Sequence, residues 1–220
     1  MALQHLSFAI LGLGTFGSTV ATELVRFGNH VLGIDRDEKR VNLLANTLSE
    51  ALIADARDEA AMREAGIGHY DVVLIAMGED LEASILCIMN ARLLGAKTIW
   101  VKAISRTHHR ILARMGADRI VHPEEEYGQH IAQMLHNPVV HDYVKLGNGF
   151  HVFNIVISHR GEGKTIQSLQ LEQFDLRWLG LMRGNTFINP DNTDQPLQQD
   201  DRLLLLGKRA DLRKFSDSLA

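Results

Sequence analysis

Cysteine is nearly absent: Cys87 is the one thiol in 220 residues. A disulfide within the chain is excluded, and a reducing, intracellular setting is expected. A cationic excess is also missing, since 23 Lys and Arg face 27 Asp and Glu, for a formal net charge of -4. Nucleic-acid backbones are held by clustered cations, so no nucleic-acid partner is expected. No apolar run approaches the roughly 20 residues that span a bilayer. The opening Met1-Ala2-Leu3-Gln4-His5 has no basic segment ahead of an apolar one, so a secretory leader is not expected. Work at a membrane would therefore require a partner. The chain has 11 histidines but no His-Glu-x-x-His and no Cys-x-x-Cys. His108 and His109 are neighbours, and neighbours on a helix diverge by about 100°, so packing or surface roles are expected rather than joint chelation. Cys87, between Leu86 and Ile88, reads as core rather than nucleophile.

What is present is an alternation. Short apolar runs occur at 8–11, 30–34, 51–53, 72–75, 98–101 and 119–121. Continuous β-branched runs of this length suit strands buried on both faces of a parallel sheet. Between them lie helix-length segments at 18–27, 38–48, 58–65, 80–94, 106–115 and 124–135, four of them stopping at glycine. In the fourth, Leu81, Ile85, Ile88 and Met89 are expected to form the buried stripe. Such β-α alternation predicts a doubly wound, Rossmann-like α/β sheet. Around His136-Asn137-Pro138 the pattern breaks. Strands are then expected at 150–158, 178–183, 186–189 and 202–206, with a Gly184-Asn185 hairpin turn. Helices are expected at 165–171 and 210–218. Two domains follow: a Rossmann-like nucleotide-binding domain over 1–137 and a smaller α+β domain over 138–220.

The first strand runs directly into Gly12-Leu13-Gly14-Thr15-Phe16-Gly17 and then a helix. Gly-x-Gly-x-x-Gly is weak alone and stronger in this setting. Gly12 permits the tight turn, Gly14 lets backbone approach a pyrophosphate, and Gly17 lets the helix pack on the sheet. The free N–H groups and dipole of that helix start attract phosphate oxygens. Asp35 ends the second strand, 21 residues after Gly14 (35 − 14). That spacing suits a carboxylate accepting from ribose hydroxyls and disfavours a 2′-phosphate, an exclusion that Arg36 weakens slightly. A second glycine motif, Gly161-Glu162-Gly163-Lys164-Thr165, is not a phosphate loop, because Ser158 stands where its first glycine belongs. Thr165 reads as a helix N-cap instead.

The loop, Asp35, the run Ile99-Trp100-Val101-Lys102-Ala103, and His108-His109 followed by Met115-Gly116-Ala117-Asp118-Arg119-Ile120-Val121-His122-Pro123-Glu124 together resemble cytosolic gating subunits of bacterial Ktr/Trk potassium uptake systems. The segment from Asp200 to Gly207 resembles their second domain. The resemblance implies two RCK domains and regulation rather than catalysis. It implies an adenine nucleotide, ATP/ADP or NAD(H), in the first domain. It further implies a homodimer that assembles into an octameric ring, peripheral at the inner face of the membrane, under a potassium-translocating subunit. On the same ground Gly12, Gly14, Thr15, Phe16, Gly17, Asp35, Arg36, Asp55, Ala56, Ala76, Met77, Gly78 and Lys102 take nucleotide-contact positions. Glu124 matches a carboxylate that helps bind a divalent or monovalent cation near the phosphates. Tyr127, Ile131, Met134 and Leu135 form an apolar stripe that reads either as ordinary core or, as the resemblance implies, as a surface that meets a dimer partner. Relatives commonly place a phosphate-reaching arginine where this chain has Thr15, a neutral donor at most. Discrimination of ATP from ADP by that route is therefore not expected, unless Lys102 or Arg36 substitutes.

Two other functions compete with this one. An NAD-dependent oxidoreductase with a small C-terminal domain would need an acid-base group and a substrate pocket beside the nicotinamide, and no Ser-Tyr-Lys or His-Asp/Glu set is placed for that. A redox-sensing transcription regulator would need a DNA-binding element and a basic patch, and neither is visible.

Overall fold

The computed structural model describes residues 6–137, 139–191 and 194–219. The leader reading at Met1–His5 and the break expected at Pro138 lie outside the described residues. The chain forms two compact units that divide between Glu125 and Glu126.

The first unit alternates as the apolar runs require: β1 (Ser7–Leu11), α1 (Thr15–Arg26), β2 (His30–Asp35), α2 (Glu38–Leu44), β3 (Glu50–Ile53), α3 (Glu59–Glu64), β4 (Val72–Ile75), α4 (Leu81–Leu93), β5 (Thr98–Lys102), α5 (Arg106–Arg114) and β6 (Arg119–Val121). The strands pair in parallel in the order β3-β2-β1-β4-β5-β6. Strand order therefore reverses between β1 and β4, the place where open α/β sheets bind ligands. Side chains alternate across the sheet. Ala9, Leu11, Ile34, Val73, Ile75 and Ile99 enter one core with Met62, Cys87, Ile88 and Leu112. Ile10, Val31 and Leu74 enter the other with Ala21, Val41 and Leu48. Each face of β1 and β4 is thus covered, which is why their sequences are apolar without alternation.

Two local expectations fail. α4 buries Ala83, Ser84, Cys87, Ile88 and Ala91, while Leu81 and Met89 of the expected stripe are exposed at 37% and 50%. The helix is apolar nearly all round, so periodicity could not choose its face. α2 stops at Leu44 rather than 48, although Leu48 still packs into the core.

The second unit contains most of α6 (Pro123–His136), then β7 (Val140–Gly147), β8 (Phe150–Val156), β9 (Arg177–Arg183), β10 (Thr186–Ile188), β11 (Arg202–Lys208) and α7 (Arg209–Leu219). Its antiparallel sheet runs β10-β9-β11-β8-β7 around a core of Phe153, Ile155, Leu181, Leu203, Leu205, Leu212 and Phe215. α6 joins this unit because His130 stacks on Tyr143, ring centroids 4.6 Å apart, and meets Asp142 Oδ1 at 3.0 Å. A boundary after His136 would cut those contacts. The Gly184-Asn185 turn connects β9 to β10 as expected, with Gly184 at φ +56. In place of the helix expected at 165–171 stand two 3₁₀ turns, Gln167–Leu169 and Leu171–Phe174, separated by Gln170 at φ +49. Thr165 and Ser168 bond to each other's backbone N–H, and such side-chain bonds compete with a regular helix. β7 was not foreseen. It is an edge strand with only Val140 and Tyr143 buried, so it carries little apolar signal.

Candidate functional site

The site is built at the C-terminal edge of the parallel sheet. Gly12 leaves β1 at φ +99, where a Cβ would also stand 2.9 Å from Met77 Cγ. A Cβ on Gly17 would lie 1.9 Å from the Gly12 carbonyl oxygen and 3.1 Å from Ala76 Cβ. The fold itself therefore demands both glycines. Gly14 differs. Its φ of -65 suits any residue, and the nearest atom to an added Cβ is Arg40 Nη1 at 4.0 Å. Among the described residues only the Arg40 guanidinium comes within 4.0 Å of that position, and Gly14 is the N-cap of α1 with no side-chain cap. The exposed face of the loop is bare backbone at the positive end of a helix, a geometry suited to a phosphate.

Thr15 is exposed and starts α1, and its carbonyl accepts from Ser18 Oγ and Thr19 Oγ1. Phe16 lies half-buried under Lys102, whose Nζ is 5.8 Å from the ring centroid. Ala76, Met77 and Gly78 follow β4 and back the loop. Ala76 N–H donates to the Leu11 carbonyl, and Gly78 leaves room for the Lys102 stem, which an added Cβ would approach to 3.1 Å.

Asp35 is 7% exposed. Its Oδ2 accepts from Leu13 N–H at 2.7 Å and from Arg40 Nη1 at 3.3 Å, and its Oδ1 accepts from Asp37 N–H at 2.9 Å. Of about four acceptor positions on a carboxylate, three are taken. Asp35 thus fixes the loop to the end of β2 and retains one position for a hydroxyl. Arg36 is exposed beside it.

At the end of β3, Arg57 grips Asp55 through Nε and Nη2, at 2.5–3.0 Å. These bonds hold the Asp55 carboxyl at about 2, well below the usual range. Ala56 is buried, and its carbonyl accepts from Cys87 Sγ. Cys87 is fully buried, which pushes its thiol up to about 12, so it is packing and not a nucleophile. At the end of β5, Lys102 pairs with Glu124, and this partner lowers the Glu124 carboxyl. The expected cation-binding carboxylate therefore already has a counter-charge. No group of three or more metal-ligating side chains occurs among the described residues. His108 turns inward and is buried, whereas His109 Nδ1 meets His122 Nε2 at 2.8 Å.

The structure therefore brings Gly12, Gly14, Thr15, Phe16, Gly17, Ala76, Met77, Gly78 and Lys102 together at the loop, with Asp35 beside them. Asp55 and Ala56 stand at the end of the neighbouring strand, and Glu124 enters through Lys102. Sequence reasoning missed Arg40 and Arg57. Each follows an acid of interest by a few residues, but an arginine on a solvated helix face (Arg40) or turn (Arg57) gives no distinguishing signal. An open groove of about 620 Å³ along the outer edge of β3 has Glu50 and Glu64 as its charged lining, the wrong sign for a phosphate. No described helix is long and apolar enough to cross a membrane.

Comparison with known proteins gives this geometry a family. The TrkA-N domain matches residues 8–123 and the TrkA-C domain residues 152–220. Ktr system potassium uptake protein C of Bacillus subtilis is 34% identical over 209 residues, covering 94% of this chain and 95% of the relative. Ktr system potassium uptake protein A of Vibrio alginolyticus is 35% identical over 213 residues, covering 96% and 97%. Among solved structures, the GsuK RCK domain superposes with a TM-score of 0.63 at 12% identity, over 100% of this chain and 49% of that one. The GsuK channel bound to NAD superposes at 0.64 and 13%, over 100% and 40%. This chain spans half or less of those chains, and at such identity the likeness establishes the fold alone. Both domain matches, and relatives above 30% identity along nearly the whole length, show that the chain belongs to the TrkA-N/TrkA-C family that includes the Ktr potassium uptake proteins.

Proposed function

We propose that this protein is a nucleotide-sensing regulatory subunit that gates a membrane potassium uptake protein. Its ligand is an adenine nucleotide, ADP, ATP or NAD(H), held at Gly12–Gly17 with Asp35 on the ribose. Copies pair and close into an octameric ring on the inner face of the membrane, and the nucleotide shifts that ring between two shapes. The observation that carries the reading is Gly14, a residue whose missing side chain answers to nothing in the folded chain and opens bare backbone at a helix N-terminus. The potassium-uptake names of the relatives support the rest. Asp55 and Ala56 take the adenine side, Arg36 the ribose side, and Ala76, Met77, Gly78 and Lys102 the phosphate side. A phosphate that draws Lys102 away from Glu124 leaves that carboxylate for a metal cation.

The reading is a regulator rather than an enzyme. Moving a two-state assembly from 1:99 to 99:1 takes about 5.5 kcal/mol of differential binding. Eight linked sites share this at about 0.7 kcal/mol each, roughly a threefold preference per site. Weak selectivity at each loop therefore suffices when the sites are coupled. Native mass spectrometry of the purified chain, with and without ADP and NADH, reads subunit number and retained ligand together. The expected result is a closed ring that retains nucleotide, and Asp35→Ala lowers occupancy at least about tenfold, the loss of one hydrogen bond to a charged group. A monomer that takes up neither nucleotide would sink the proposal.

A further inference from the structure

The phosphate loop has no cation of its own, since Leu13, Gly14, Thr15 and Phe16 stand between its outer glycines. A phosphate arriving at Gly14 also approaches a rim that already holds Asp35, Asp37 and Asp55. Some positive group must offset that charge. Four near the loop are unequally committed, of which Arg36 is exposed beside Asp35 and acts electrostatically on Asp55. Lys102 has a side chain only 12% exposed and pairs with Glu124. Arg57 is locked on Asp55 in a short two-pronged grip. Arg40 is held loosely: Nη1 is 3.3 Å from Asp35 Oδ2, Nε is 3.7 Å from Asp37 Oδ2, and the side chain is 53% exposed. Both contacts are long and the Arg40 end is half-exposed, so this guanidinium exchanges partners more readily than Lys102 or Arg57. It also stands nearest the bare backbone, 4.0 Å from the Cβ position of Gly14.

The geometry points to Arg40 as a second phosphate-binding cation beside Lys102, supplied from α2 because the loop supplies none. This assignment rests on the nucleotide-sensing reading. Without ligand, Asp35 and Asp37 park the guanidinium over Gly14, where it neutralises Asp35. When a ribose hydroxyl takes the fourth acceptor position on Asp35, the loosely held guanidinium turns to the phosphate oxygens beside Gly14. A planar fork suits such oxygens better than a point charge. The ligand class selected is a phosphorylated adenine nucleotide over its unphosphorylated nucleoside.

Titration calorimetry on the full chain with ADP and with adenosine tests this. The wild type binds ADP more tightly than adenosine. Arg40→Ala narrows that ratio about tenfold, the scale of one charge-assisted bond at a half-exposed site. Arg40→Gln, which keeps most of the stem and loses the charge, does the same. Adding Thr15→Arg to Arg40→Ala moves the cation onto the loop and restores the ratio, which separates phosphate binding from a folding defect. An unchanged ratio in Arg40→Ala and Arg40→Gln, or an equal loss for both ligands, overturns the assignment. A wild type that binds neither ADP nor NADH removes the nucleotide-sensing reading itself, a distinct result.

Discussion

Asp201 in the second unit and Asp55 in the first each meet an arginine in a two-pronged grip, and the two grips do opposite work. Asp201 is 1% exposed and accepts from Arg183 Nε and Nη2 and from Gln198 N–H, all within 2.9 Å. Arg183 also donates to the Pro196 carbonyl, so the cluster closes on itself and pins the 196–201 segment against β9. Asp55 is 39% exposed on its side chain, and Arg57 37%. Its grip opens to solvent at the C-terminal edge of the parallel sheet. The same residue pair is therefore a staple where protein completes it and an open, solvated pair where solvent does.

The largest effect that can break this comparison is Asp201→Ala. Removing one partner leaves the mostly buried Arg183 uncompensated, and a loss of about 3 kcal/mol in second-unit stability is expected. Asp55→Ala, discounted for solvent screening, should cost under about 1 kcal/mol while weakening nucleotide binding. Urea unfolding and ADP titration of both variants read the two quantities separately. Equal destabilisation would erase the distinction.

Next in size is Gly17→Ala. Its Cβ would fall 1.9 Å from a backbone oxygen, so α1 must shift, at a cost of about 2 kcal/mol typical of overpacking. Thermal melting measures it, and an unaltered melt would mean that the loop and helix part more easily than their contact implies.

Acid distinguishes the grips more gently. Burial raises the Asp201 carboxyl, but Arg183 and Gln198 N–H more than offset this and leave it lowered. Asp55 is lowered to about 2. A depressed carboxylate contributes stability above its unfolded value near 4, and that contribution disappears as pH falls toward the folded value. Unfolding free energy should thus decline between about pH 4 and pH 2. The slope should flatten in Asp55→Asn more than in Asp201→Asn, because burial of Asp201 cancels part of its own lowering, whereas Asp55 is held down to about 2.

How far the sequence disclosed all this depended on the range of the interaction. β1, β2, β4 and β5 were legible because two buried faces force unbroken apolar runs. The loop and Asp35 were legible because their spacing is local. β7 was hidden by its exposed edge, and the 165–171 turns by side chains that hydrogen-bond their own backbone. The face of α4 was hidden because apolar residues surround it. Arg40 and Arg57 look like any solvated arginine until tertiary structure sets them on Asp35 and Asp55. Glu124 was visible as a carboxylate, but its partner Lys102 lies 22 positions away (124 − 102), which no short window connects.

The smallest change in stability carries the sharpest functional test. At Gly14 an alanine methyl meets no protein atom closer than Arg40 Nη1, and the backbone angles are ordinary. Alanine is a clearly poorer N-cap than glycine, but it also restricts the unfolded chain by a comparable free energy, so the two effects largely offset. Stability should stay within about 0.5 kcal/mol of the parent. The added methyl nonetheless occupies the backbone face to which the proposed function assigns the phosphate, and ADP affinity should fall about tenfold or more, comparable to losing one charge-assisted hydrogen bond. Gly17→Ala weakens the fold and the site together, whereas Gly14→Ala should weaken the site alone. A Gly14→Ala protein that melts normally and binds ADP normally would mean that the phosphate does not rest on this backbone, and the functional reading of the loop would fall with it.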